Sequence, residues 1–170
     1  EPAPLSPSVG ASLGVRSYYA REYDRAVGEL LESLELNPDF SLAHFFLGQA
    51  YAAQGKLADA IRSLERAVEL SGGSTETVAA LGYGYAVAGK RSEAKAQLST
   101  LLERAQKGYV SPSFIAQVRA GLGDRGEALA CLERAVELRA ADLAWVKLRP
   151  AFDALREEPR FIALTGRMGL

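Results

Sequence analysis

Chemistry in this sequence would have to come from two glycine patterns or two lone reactive side chains. Gly84-x-x-x-x-Gly89-Lys90 has most of the spacing of a phosphate-binding loop, where backbone N–H groups cradle phosphate and the lysine reaches it. The next residue is Arg91, however, where a Ser or Thr hydroxyl has to hold magnesium. No strand pattern precedes it, and helix periodicity accounts for every residue in it. Gly121-x-Gly123-x-x-Gly126 has the spacing of a dinucleotide fingerprint, but it falls between two helical patterns and not after a strand. His44 is the only histidine and Cys131 the only cysteine. They form no Cys–His pair at helical spacing and no zinc quartet. His44 reads as a packing residue, and Cys131 as a small, partly buried apolar one. Glu65, Glu69, Glu133 and Glu137 alternate with Arg62, Arg66 and Arg134, which is the pattern of a solvated helix face with local charge pairs. The residues therefore predict no catalytic group, no cofactor and no metal.

The elements that would position any functional residue announce themselves by repetition. Leu47-Gly48, Tyr51, Gly55 and Ala60 return 34 residues later as Leu81-Gly82, Tyr85, Gly89 and Ala94. One period earlier stand Leu13-Gly14 and Ala26, and one later than the second copy stand Ile115, Gly123 and Ala128. A fixed period of this length marks stacked helix pairs that bury a continuous core only together. The spacing predicts repeats over residues 7–40, 41–74, 75–108 and 109–140. In the first repeat, helices are expected over about 8–20 and 23–36, with Pro38 as the stop. Ser41 is the expected N-cap of repeat two, Ser74 or Thr75 that of repeat three. Pro112 opens repeat four, and Ser71-Gly72-Gly73 breaks the second helix of repeat two.

The recurring small residues predict close crossings. Glycine inside a helix costs about 0.5–1 kcal/mol relative to alanine, so its return at Gly14, Gly48 and Gly82 implies a steric need. Ala26, Ala60, Ala94 and Ala128 are expected opposite, with Leu30, Leu64, Leu98 and Leu132 as a buried column. Ala116 takes the glycine's place in repeat four and predicts a wider crossing there.

This pattern of L-G-x-x-Y, G-x-x-x-x-A and a trailing A…P resembles the tetratricopeptide repeat. Repeats two and three carry it most fully. Repeat one departs at Ser17 and Arg21, and repeat four at Ala116 and Arg119. The resemblance implies an all-α fold: a right-handed superhelical solenoid of four helix pairs with a concave face lined by first helices. It also implies a non-catalytic module that binds a peptide or protein segment there. By repeat position the lining is Tyr18, Tyr19 and Glu22; Phe45, Gln49 and Lys56; Tyr83, Val87 and Lys90; and Gln117 and Asp124. Aromatics and amides suit peptide contact, because they offer large area at modest entropy cost. Members that hold a terminal carboxylate do so with Lys and Asn side chains. Ala11, Val15, Gln49, Ala79 and Tyr83 stand at those positions here, which argues against a chaperone-tail adaptor.

The ends depart from the period. Glu1 to Ser6 reads as a linker, and with no starting Met the chain reads as a piece of a longer or processed protein. Residues 141–170 read as a helical cap, with Trp145, Phe152, Leu155 and Phe161 covering repeat four or forming a docking surface. This stretch is similar to the ends of some bacterial multidomain signalling proteins, where such repeats follow an effector domain. That makes another domain of the same polypeptide, or a second copy in a homodimer, the alternative partner.

Composition agrees with a folded domain. The chain has 170 residues, 48% hydrophobic and 24% charged, with a net charge of −1 from 20 basic and 21 acidic residues. Near-neutrality gives no footprint for nucleic acid. No apolar run reaches the roughly 20 residues a membrane-spanning helix needs. A single cysteine leaves the compartment undetermined.

Overall fold

Apolar residues at helical spacing, broken at short intervals by glycine or proline, give helix after helix in the computed structural model, which describes residues 6–169. The linker expected over Glu1 to Ser6 lies, apart from Ser6, outside them, as does Leu170 of the terminal stretch. The α-helices are α1 (Pro7–Tyr19), α2 (Tyr23–Leu36), α3 (Ser41–Ala53), α4 (Leu57–Leu70), α5 (Thr75–Val87), α6 (Arg91–Lys107), α7 (Pro112–Leu122) and α8 (Arg125–Glu137). Two 3₁₀ helices, Ala141–Trp145 and Pro150–Leu155, then lead into α9 (Pro159–Arg167). Among the described residues there is no strand, and the fold is all-α.

The turn inside each helix pair is built the same way. The N–H groups of Glu22, Lys56, Lys90 and Asp124 bond back to the carbonyls of Ser17, Tyr51, Tyr85 and Arg119, each at 2.9 Å. That geometry needs a left-handed residue just before the second helix. Gly55, Gly89 and Gly123 supply it with φ of 74°, 76° and 85°. In the first pair Arg21 adopts it instead, at φ 64°. Caps between pairs differ from expectation in one place. Ser41 is the first residue of α3 and Phe40 the cap residue, so the Ser41 hydroxyl is free to donate to the Ala67 carbonyl at 3.3 Å. Ser74 does cap α5, accepting from the Thr77 N–H at 3.3 Å.

The chain forms two compact units, one ending at Thr77 and the other beginning at Val78. In the first, the glycine crossings are as the repeat predicts. A Cβ on Gly14 would lie 2.5 Å from Leu30 Cγ, and one on Gly48 would lie 2.5 Å from Leu64 Cγ. The same Gly48 Cβ would sit 3.0 Å from the Ala60 carbonyl oxygen. Carbon atoms pack best at about 3.5–4 Å, so only hydrogen fits. Ala26, Leu30 and Ala60 have no exposed surface, and Leu64 has 1%. Where repeats two and three carry Tyr51 and Tyr85, Ser17 of repeat one is buried. Its hydroxyl donates to Glu29 Oε2 at 2.6 Å, and Arg25 holds the other oxygen at 2.9 Å.

In the second unit the register shifts. The atoms nearest a Gly82 Cβ would be Val118 Cγ2 at 2.9 Å and Gln97 Cβ at 3.0 Å, not the Ala94 side expected. Leu98 is only half-buried, and Leu101 takes the fully buried place in α6. Ala116, Ala128, Leu129 and Leu132 share one core with Val146, Phe152, Leu155, Phe161 and Leu164 of the terminal stretch. That stretch therefore covers repeat four, with one correction. Trp145 is 47% exposed, and its neighbour Val146 is the residue that packs inward.

A buried polar cluster fixes this cover. Ser111 donates to Asp142 Oδ1 at 2.7 Å, and Ser113 donates to the other carboxylate oxygen. Arg149, 7% exposed, lies 3.5 Å from the same carboxylate and 5.4 Å above the Phe114 ring. Outside the core, Arg160 grips Glu133 with two bonds of 3.0 and 2.8 Å and holds its carboxyl below the usual carboxylate range.

Three changes test these contacts by urea denaturation. Gly48→Ala should lose about 1–3 kcal/mol, because Leu64 Cγ and a backbone oxygen both block the new Cβ. Arg21→Gly should gain about 0.5–1 kcal/mol, because a left-handed L residue is strained and glycine is not. Asp142→Ala should lose about 3 kcal/mol, because it leaves the Arg149 charge buried without its partner. An unchanged midpoint in any of the three refutes the contact assigned to it.

Candidate functional site

The first-helix faces of the first unit carry a bed of aromatic rings. Consecutive tyrosines on α1 and consecutive phenylalanines on α3 must point to different sides of their helices, so each pair supplies one ring inward and one beside it. Tyr18 packs edge-on to Tyr19 at 5.1 Å and to Phe46 at 5.5 Å, and tilts against Tyr23 at 6.0 Å. Tyr19 meets Phe46 at 5.8 Å, and Phe45 meets Phe46 at 5.0 Å. These separations are those of favourable aromatic pairs. The Tyr18 hydroxyl donates to Gln49 Oε1 at 3.4 Å, which ties α1 to α3 across the bed.

Burial sorts the residues assigned to the lining. Tyr18 is 3% exposed, Phe45 7% and Gln117 4%, so these three belong to the cores and offer a partner almost no surface. Tyr19, Gln49 and Tyr83 are half-buried, with one side packed and one side open. Tyr83 rests on a glycine: its ring carbon would be 2.9 Å from a Cβ at Gly121. Val87, at 36%, is exposed on α5.

Glu22, Lys56, Lys90 and Asp124 are exposed but do not lie on first helices. Each is the cap residue of a second helix, with nearly the same backbone angles in all four. Glu22 pairs with Arg25 at 3.3 Å, Lys90 with Glu93 at 3.9 Å, and the Lys56 ammonium sits 5.8 Å from the Tyr51 ring centre. They form the rim of the turns.

The residues that might have done chemistry have packing roles. Gly84 is buried within α5 and Gly89 makes a turn, so the phosphate-loop spacing is helix and turn. In the second glycine pattern, Gly121 seats Tyr83 and Gly123 closes the turn. His44 Nε2 bonds to the Pro38 carbonyl at 2.8 Å. It lines a cleft of about 550 Å³ between α2, α3 and α4, together with Leu31, Leu34, Leu47, Tyr51 and Arg66. No sequence pattern pointed to this cleft, because its walls come from three helices. Cys131 is half-buried against the second unit's core, and burial pushes its thiol up, away from the reactive thiolate. Among the described residues, no group of three His, Cys, Asp or Glu side chains could hold a metal ion. No helix there is long and apolar enough to cross a membrane.

Core and surface roles on α1 separate by mutation. Tyr18→Ala should cost about 3–5 kcal/mol in unfolding free energy, as truncation of a buried aromatic does. Tyr19→Ala should cost about 1 kcal/mol and leave the helical circular dichroism unchanged. Equal losses at the two positions would place Tyr19 in the core as well.

Three family models, each described as tetratricopeptide repeat, match residues 13–75, 52–112 and 114–142. No curated protein matches the chain. Tetratricopeptide repeats are generally protein–protein interaction modules without catalytic chemistry. The matches run through all eight helices from α1 to α8, and through this region the chain belongs to the tetratricopeptide-repeat family.

Proposed function

We propose that the chain is a non-catalytic docking module that holds a peptide or protein segment on the open side of its first helices. The observation that carries this reading is that Tyr19 and Gln49 each keep one side open while the other side is held by Tyr18. Both are half-buried, and the Tyr19 ring is stiffened by Tyr18 and Phe46 beneath it. A ring already held in place loses little entropy when a partner covers it. The Gln49 amide oxygen accepts from the Tyr18 hydroxyl, which orients the amide to serve a peptide backbone. In the second unit, Tyr83 on its glycine seat and Val87 are the counterparts. The exposed turn residues Glu22, Lys56, Lys90 and Asp124 serve as a polar rim and contribute less, since exposed charges are hydrated and screened.

The test starts with a partner captured by crosslinking in cell extract and identified as a defined segment. Tyr19, Gln49, Tyr83 and Val87 are each changed to alanine, with circular dichroism as the folding control. Loss of an aromatic anchor worth about 2 kcal/mol appears as a roughly 30-fold weaker Kd. Alanine at Lys56 or Lys90 should change Kd less than threefold, and salt should weaken binding only slightly. Full affinity in all four folded variants would remove the first-helix faces as the site.

A second reading places the contact on the terminal stretch. Trp145 and Leu148 are three residues apart on one helical turn and 47% and 43% exposed, while Val146 and Arg149 between and beside them face inward. This exposed pair would then dock to another domain of the same polypeptide or to a second copy, as a likeness to the ends of bacterial multidomain signalling proteins would imply. Light scattering across a concentration series tests the second-copy form of this reading. A stable dimer that Trp145→Ala dissolves supports it, and a monomer at every concentration removes it.

A further inference from the structure

We draw no further inference here: the strongest candidate, the cleft of about 550 Å³ between α2, α3 and α4 with Leu34, Leu47 and Tyr51 in its walls, has the charges of Asp39, Asp59, Arg62 and Arg66 already paired, and nothing in the structure shows what covers it.

Discussion

The first unit depends on a missing atom. Gly14 and Gly48 bring helix pairs together so closely that Leu30 and Leu64 occupy the space a Cβ would need. Each glycine weakens its own helix by about 0.5–1 kcal/mol. The return is a leucine with almost no exposed surface and alanines at Ala26 and Ala60 with none. Burying a leucine side chain is worth about 1.5–3 kcal/mol, so packing outweighs propensity. The close approach also sets where α1 and α3 lie, and hence where Tyr18, Tyr19, Phe45 and Phe46 meet.

That meeting divides labour between neighbouring residues. Tyr18 and Phe46 are nearly out of reach of solvent, while Tyr19 and Gln49 rest on them with a side open. An open aromatic face of this type is shaped by the core beneath it. The buried rings decide how rigid the open ones are, and rigidity decides how much of a contact's gross energy survives as affinity. In the second unit the same relation takes another form. There the bare Cα of Gly121 receives the Tyr83 ring, so the residue that positions the aromatic has no side chain at all.

How far the sequence could be read follows from the range of the interactions involved. Helix positions were legible because their causes are local: a glycine in each of three turns, Pro38 after α2 and Pro112 opening α7. The crossings at Gly14 and Gly48 were legible because the period repeated them. Burial depth was not. The α3 helix packs against α1, α2 and α4, so Phe45 and Phe46 are both buried although they point to different sides. A helix covered on most sides has no hydrophobic stripe from which to choose the outward residue. Gln117 misled for a related reason, since its amide suggested surface and its position is 4% exposed. The shift from Leu98 to Leu101 reflects where Gly82 sits, against Val118 and Gln97, which a rigid period hides. The cluster of Ser111, Ser113, Asp142 and Arg149 joins residues 29 to 36 apart, and no local pattern marks it.

The terminal stretch shows how the flank of a helix pair can be covered without a further full repeat. Its second 3₁₀ helix packs against α7, and α9 packs against α8, so the two pieces occupy sides of the last pair that would otherwise be bare. Neither is long enough to be stable alone, since isolated helices shorter than about 12–15 residues are marginal in water. Their stability is borrowed from Phe152, Leu155, Phe161 and Leu164, all of which sit in the core of repeat four. Apolar burial alone does not select one arrangement, because those side chains could pack at several rotations of so short a helix. Direction comes from the polar contacts. Asp142 must reach two serine hydroxyls on one side and Arg149 on the other, and Arg160 must meet both oxygens of Glu133. Apolar area holds the cover on, and hydrogen-bond geometry fixes the orientation in which it is held.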